Sequence, residues 1–171
     1  MSDVTTLLAR ARVPLGFVCA GAVLWLAQPS PTSLAIGGAL AAAGEVLRFW
    51  AAGHLEKGRE VTQSGPYRLT RHPLYAGSAI IAVGAAIASG HASAASLIVV
   101  YAGVTLVSAI LHEEENMRAA FGDQYDAYLE SRGAPMDRAF SLPRALKNRE
   151  HRTVMGLLLV AAILAVKAGW K

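Results

Sequence analysis

Three short stretches of the 171-residue chain carry most of its polar chemistry. The first is GEVLR, Gly44–Arg48, with Glu45 and Arg48 three residues apart. On a helix that spacing puts a carboxylate and a guanidinium on one face. The second is SGPYRLTRHPLYAG, Ser64–Gly77, which gathers Tyr67, Arg71, His72 and Tyr75 around Pro73. Proline suits the first turn of a helix, where its missing N–H costs little. Arg71 and His72 then stand at a helix N-terminus, whose free N–H groups and positive dipole end favour an anion. Tyr75 adds an aromatic face and a hydroxyl just inside that helix. SGPY reads as a turn that returns Tyr67 to the same place. The third stretch is HEEENMRAAFGDQYDAY, His112–Tyr128, which opens with Glu113, Glu114 and Glu115. Three adjacent carboxylates repel one another and call for a cation nearby. Arg118, four residues beyond Glu114, is a local candidate. Gly122 and Asp123 read as the end of one helix and the cap of another.

A cationic pocket and a carboxylate pocket together suit a zwitterionic ligand with an amino and a carboxylate group. Its carboxylate would go to Arg71, His72 and the helix N-terminus, and its ammonium to Glu113 or Glu114. The chain holds no GxGxxG, Walker A or HExxH pattern, so a Rossmann-type nucleotide site is not indicated. The lone Cys19 lies in an apolar run, and no Cys/His cluster suggests a metal.

The elements that position these groups are read from hydropathy. Hydrophobic residues make up 54% of the chain and charged residues only 16%, against about 25% in a soluble domain. Mean hydropathy is +0.38. Five apolar runs cover roughly residues 13–28, 33–53, 73–89, 94–112 and 154–169. Each approaches the ~20 residues that cross a hydrocarbon core. Nearly all lack the polar face that a soluble bundle requires. QPSPTS and SGHAS are the tight turns after the first and third runs. Neither contains Lys or Arg, whereas Arg10 and Arg12 precede the first run and the segments 54–72 and 113–152 are rich in both. This pattern accounts for the net charge of +4 better than a nucleic-acid partner would. With five spans it predicts a cytoplasmic N-terminus, two cytoplasmic polar segments and a C-terminus on the opposite side. Lys167 and Lys171 would snorkel outward there. No secretory leader is expected. The expectation is an all-α, multi-pass transmembrane bundle forming one domain over residues 1–171, with a cytoplasmic helical segment covering the ligand. Within 130–152, Pro143 begins either a basic amphipathic piece on an anionic membrane surface or part of that cover.

An ionisable residue inside an apolar run is a functional hypothesis by default. Glu45 and Arg48 meet that description, and they also neutralise each other as a pair.

At these residues the chain resembles the isoprenylcysteine carboxyl methyltransferase family and the wider group of small membrane methyltransferases, phospholipid N-methyltransferases included. The resemblance rests on GExLR at Gly44–Arg48, GPYxxxRHPxYxG at Gly65–Gly77 and EExxxxxxFGxxYxxY at Glu113–Tyr128. Met117 stands where that family usually has Leu, and Ala134–Pro135 where it often has a Val/Ile-Pro element. The resemblance implies S-adenosylmethionine as cofactor and S-adenosylhomocysteine as product. It places His72, Tyr75, Glu113 and Glu114 at cofactor positions, joined here by Tyr67 and Arg71. Arg48 falls on an active-site arginine, which would orient an acceptor carboxylate while Glu45 holds the guanidinium. The expected reaction is methyl transfer to a hydrophobic, membrane-partitioned carboxylate, giving a methyl ester. Lipid N-methylation is the alternative, with Glu45 or His54 taking the proton that an amine must lose. A nicotinamide-dependent membrane reductase of similar build and a non-enzymatic membrane scaffold are further alternatives.

Overall fold

The computed structural model describes residues 3–130 and 136–169, with side chains from residue 14 onward. Ala134–Pro135 lies outside the described residues. Those described form helices and turns, with no strand. The helices are α1 (Asp3–Leu26), α2 (Pro31–Ala52), α3 (Pro73–Ala88), α4 (Ala92–Phe121), α5 (Asp123–Leu129), α6 (Leu142–Lys147) and α7 (Glu150–Gly169), with a 3-10 turn over Gly65–Arg68 between α2 and α3. The apolar runs and the helices agree to within a few residues at most ends. α1 starts well before the first run, with Pro14 inside it. α4 carries the fourth run onward as one helix to Phe121. α7 begins four residues ahead of its run.

Among the described residues, three helices are long and apolar enough to cross a membrane: α2, α4 and α7. The apolar stretches Pro14–Leu26 and Pro73–Ala88 are shorter. The five-run expectation therefore meets three helices of full length and two short ones. α4 and α7 leave Val100, Val104, Leu111, Leu158 and Leu159 exposed, a surface that lipid solvates and water does not.

α2 starts on a capping box. The Ser30 hydroxyl accepts from Ser33 N–H at 3.1 Å, the Ser33 hydroxyl accepts from Ser30 N–H at 2.9 Å, and Pro31 opens the helix. α2 packs most extensively on α3. Their backbones touch at two places seven residues apart, Gly37 on Gly84 and Gly44 on Gly77. A methyl group at Gly44 would lie 2.6 Å from the Gly77 carbonyl oxygen. Among lipid-embedded helices small residues at the contact supply the close packing that hydrophobicity cannot. The glycine of GExLR thus presses on the last glycine of RHPxYxG.

At one end of the bundle α1, α3 and α7 finish where α2 and α4 begin. Gln28 N–H donates to the Ser89 carbonyl at 2.7 Å, and the Ser33 hydroxyl to the Ala88 carbonyl at 3.4 Å. Lys167 also lies here. Instead of reaching outward, its ammonium donates to the Leu24 and Trp25 carbonyls at 2.6 and 2.8 Å. Carbonyls in the last turn of α1 lack helical partners, and a cation satisfies them. Lys171 lies outside the described residues.

At the other end, residues 136–148 fold back on the C-terminus of α2. Asn148 donates to the Ala52 and Leu55 carbonyls at 2.8 and 2.9 Å, Arg144 to Gly53 at 2.6 Å, and Arg138 to His54 at 3.2 Å. Arg144 also pairs with Glu56 at 2.8 Å, and Arg138 grips both oxygens of Glu60. Pro143 does open a short helix, α6, and that helix packs against α2 and α7.

Candidate functional site

Arg48, in the penultimate turn of α2, points across the bundle. Its Nη2 donates to both carboxylate oxygens of Glu150, at 2.9 and 3.1 Å. Its Nη1 donates to the Leu74 carbonyl at 3.3 Å and to the Ser78 hydroxyl. Glu45 was expected to hold this guanidinium. It reaches only the Nε side, at 3.6 Å, too long for a hydrogen bond. A carboxylate one turn back on the same helix meets the stem of the arginine, whereas Glu150 arrives from α7 against the fork. Both Glu45 oxygens and Arg48 Nε are buried without a hydrogen-bond partner among the described residues. Glu45 is 8% exposed. It lines an apolar groove of about 360 Å³ together with Val46, Phe49, Trp50, Val154 and Phe140.

Glu150 is the functional candidate that the sequence reading missed. It is 4% exposed and opens a helix, where a carboxylate gains from the dipole. One signal was present: a lone acid at the mouth of an apolar run, among Arg144, Lys147, Arg149 and Arg152.

The second part of the site forms at the start of α3. His72 is the N-cap and Pro73 the first helical residue, and no side chain caps the free N–H groups. His72 Nε2 lies 3.1 Å from Glu114 Oε1, and its ring centroid is 5.8 Å from that of Tyr75. Glu113 and Glu114 are half-buried while Glu115 is exposed, so the helix face selects the first two. Glu114 turns to His72 rather than to Arg118, whose Nε instead sits 3.7 Å from Asp126.

Gly122 ends α4 at φ +46°, a conformation that L side chains rarely adopt. Gly122, not Asp123, occupies the cap position of α5. α5 brings Tyr128 over the 3-10 turn, where its hydroxyl donates to the Tyr67 carbonyl at 3.0 Å. Tyr67 is 8% exposed. Burial raises its pKa above the ordinary 10, and the negative charges of Glu113 and Glu150 add to the shift. Tyr67 therefore stays protonated between the Glu113 side and the Arg48–Glu150 pair. Of the expected set, the structure brings His72, Tyr75 and Glu114 together, with Tyr67 and Glu113 beside them. Arg71 is directed elsewhere: its guanidinium donates to the Leu129 carbonyl at 2.9 Å, at the end of α5.

His54 lies behind the groove, buried, with Nδ1 3.0 Å from the Ser64 hydroxyl. Burial lowers its pKa below the ordinary 6.5, and Arg144, Arg138 and Arg68 lower it further. The unfolded chain takes up a proton near pH 6.5 that the folded chain refuses. The stability from neutral His54 is thus full above about pH 6.5 and is lost as pH falls through its lower folded value. The thermal midpoint in detergent should fall between about pH 7.5 and 5.5, and His54→Gln should remove part of that fall. Parallel slopes for parent and variant would contradict the assignment.

A family model described as phospholipid methyltransferase matches residues 32–124, more than half of the chain. The match includes Glu45, Arg48, the Ser64–Gly77 stretch and Glu113–Glu114, and it stops before Tyr128, Phe140 and Glu150. No curated protein and no solved structure matches the chain.

Proposed function

Because the chain belongs to the phospholipid methyltransferase family, we propose that it moves a methyl group from S-adenosylmethionine to a nitrogen on a membrane-partitioned, lipid-like acceptor. It is an integral membrane methyltransferase, built as an all-helical bundle. Family membership supports methyl transfer over a nicotinamide-dependent reductase or an inert scaffold.

One observation carries the choice of nitrogen. Arg48's fork is taken by Glu150, while Glu45, in the lining of the groove, keeps a buried carboxyl group with no hydrogen-bond partner among the described residues. The group left for an acceptor is therefore a carboxyl group, which suits an ammonium or amine. Buried polar atoms are nearly always hydrogen-bonded, and an acceptor nitrogen would satisfy Glu45. A carboxylate acceptor, the sequence-based expectation, keeps one point in its favour: Arg48 Nε is also unpartnered.

The residues present fit the cofactor. The His72–Glu114 pair offers an imidazole and a carboxylate at contact distance to a zwitterionic amino-acid end. The free N–H groups of α3 add to the anion side. Tyr67 and Tyr75 supply aromatic faces that a sulfonium tolerates. When bound, the cofactor supplies the electrophilic methyl group. An ammonium acceptor has no lone pair until it loses a proton, and Glu45 is placed to take it. His54, already bonded to Ser64, lies outside the groove lining. Holding the two reactants in reacting geometry would supply a large share of the acceleration. The Lys and Arg distribution supports a cytoplasmic placement for this charged end and for the N-terminus.

The test is transfer of a tritiated methyl group to a lipid extract by purified protein. A label stable to base is expected, and release as volatile methanol would mean an ester and overturn the nitrogen reading. Glu114→Gln removes the charge facing His72 and should weaken cofactor affinity about tenfold or more, the worth of a hydrogen bond to a charged group. Affinity within about twofold of the parent would remove Glu114 from the cofactor site.

A further inference from the structure

We infer that Phe140 sets the size of the head group that the groove accepts. The inference rests on the acceptor reading above and adds a residue outside the family match. Four of the five walls of the groove come from the helices α2 and α7: Val46, Phe49, Trp50 and Val154. Phe140 alone comes from the coil that precedes α6.

Its position is over-determined. Two residues before it, Arg138 binds both Glu60 oxygens and the His54 carbonyl. One residue after it, Ser141 N–H donates to the Gly53 carbonyl at 3.1 Å. The ring centroid lies 5.9 Å from that of Phe49 and 6.4 Å from that of His54. It also covers Gly53 so closely that a methyl group there would collide with the ring. Yet Phe140 remains 44% exposed. An aromatic ring clamped on both flanks and left half open toward a groove is a wall, not core.

The occupant follows from charge complementarity. Glu45 and Phe140 line one hollow, and both Glu45 oxygens are buried there without a hydrogen-bond partner among the described residues. Gly53, the C-cap of α2, lies eight positions beyond Glu45, about 12 Å along the helix axis at 1.5 Å per residue. That length takes a polar head group with its nitrogen at Glu45, flanked by Phe49 and Trp50, aromatic faces that attract cations. Each substituent added to the nitrogen must fit between the carboxylate and the rings. Phe140 is the wall that can be shortened without disturbing a spanning helix.

Trp50 lines the groove and reports on binding by its fluorescence in a Trp25→Phe, Trp170→Phe background. The probes are dodecylamine, dodecyltrimethylammonium and dodecanol, titrated at trace level against the detergent-solubilised full chain. In the parent, dodecylamine should bind at least about fivefold more tightly than the quaternary probe. Phe140→Ala should bring that ratio below about twofold. Phe140→Leu, which keeps apolar contact with Phe49, should fall between. A ratio unchanged in both variants, or no discrimination in the parent, overturns the inference. Dodecanol binding as well as dodecylamine would mean that the groove holds only an alkyl chain, and overturns it too. Glu45→Gln separates the two readings. If it binds both amines as the parent does, the nitrogen acceptor fails, whatever Phe140 does to the ratio.

Discussion

Gly77→Ala should lower the stability of this protein, although the same change at Gly103 should raise it. Alanine gains about 1 kcal/mol over glycine within a helix. At Gly103 nothing lies within 4 Å of the added methyl group, so that gain is kept. At Gly77 the methyl group would stand 2.6 Å from the Gly44 carbonyl oxygen and 2.6 Å from Arg48 Cγ. The oxygen belongs to the backbone of a packed helix and cannot swing aside, so α2 and α3 must separate. Overpacking of this kind costs about 1–3 kcal/mol, and Gly77→Val costs more. At about 2–4 °C per kcal/mol for a chain of this size, Gly77→Val should melt at least several degrees below the parent. Activity should fall further than stability, because the Gly44–Gly77 contact holds Arg48 against the Leu74 carbonyl and Ser78. Thermal melting of the three variants in one detergent decides the matter. A Gly77→Ala protein as stable as Gly103→Ala would mean that α2 and α3 do not touch here.

Glu150→Gln should cut turnover by about a hundredfold while cofactor affinity changes little. Removing one partner of a buried ion pair costs about 3–5 kcal/mol, because the other charge is left uncompensated. Here Glu45 lies 3.6 Å from the same guanidinium, which limits the loss. That rescue is itself damaging. Without Glu150, Glu45 on the Nε side is the carboxylate left to balance the Arg48 charge, which makes it less available to the proposed acceptor. Acceptor affinity and turnover should therefore fall together. Cofactor affinity, which the proposed function assigns to His72, Tyr75 and Glu114, should stay within a few-fold. Glu150→Asp retains the charge at a shorter reach and should restore part of the turnover. Equal losses in cofactor affinity and turnover would show that Glu150 serves the fold as a whole. Full activity in Glu150→Gln would remove Arg48's orientation from the mechanism.

The parts of this protein that depend on contiguous chain were legible from residues alone. Hydropathy marked the five runs, because burial in lipid requires long stretches without charge. Pro31 and Pro73 marked helix starts, since a first-turn proline forfeits no hydrogen bond. The three polar stretches were recognisable as a group, and the i, i+3 spacing put Glu45 and Arg48 on one helix face. What the tertiary structure decided was which of these groups meet. Arg48 is held by a carboxylate 102 residues away, Glu114 chose His72 over Arg118, Gly44 lies on Gly77, and a coil phenylalanine closes the groove. Each of these depends on the rotation and axial register of one helix against another. A periodic pattern within one run says which face is apolar, but in lipid nearly every face is. The register therefore comes from close backbone packing and from buried charges finding partners across the bundle, and neither is written in the spacing of any one helix.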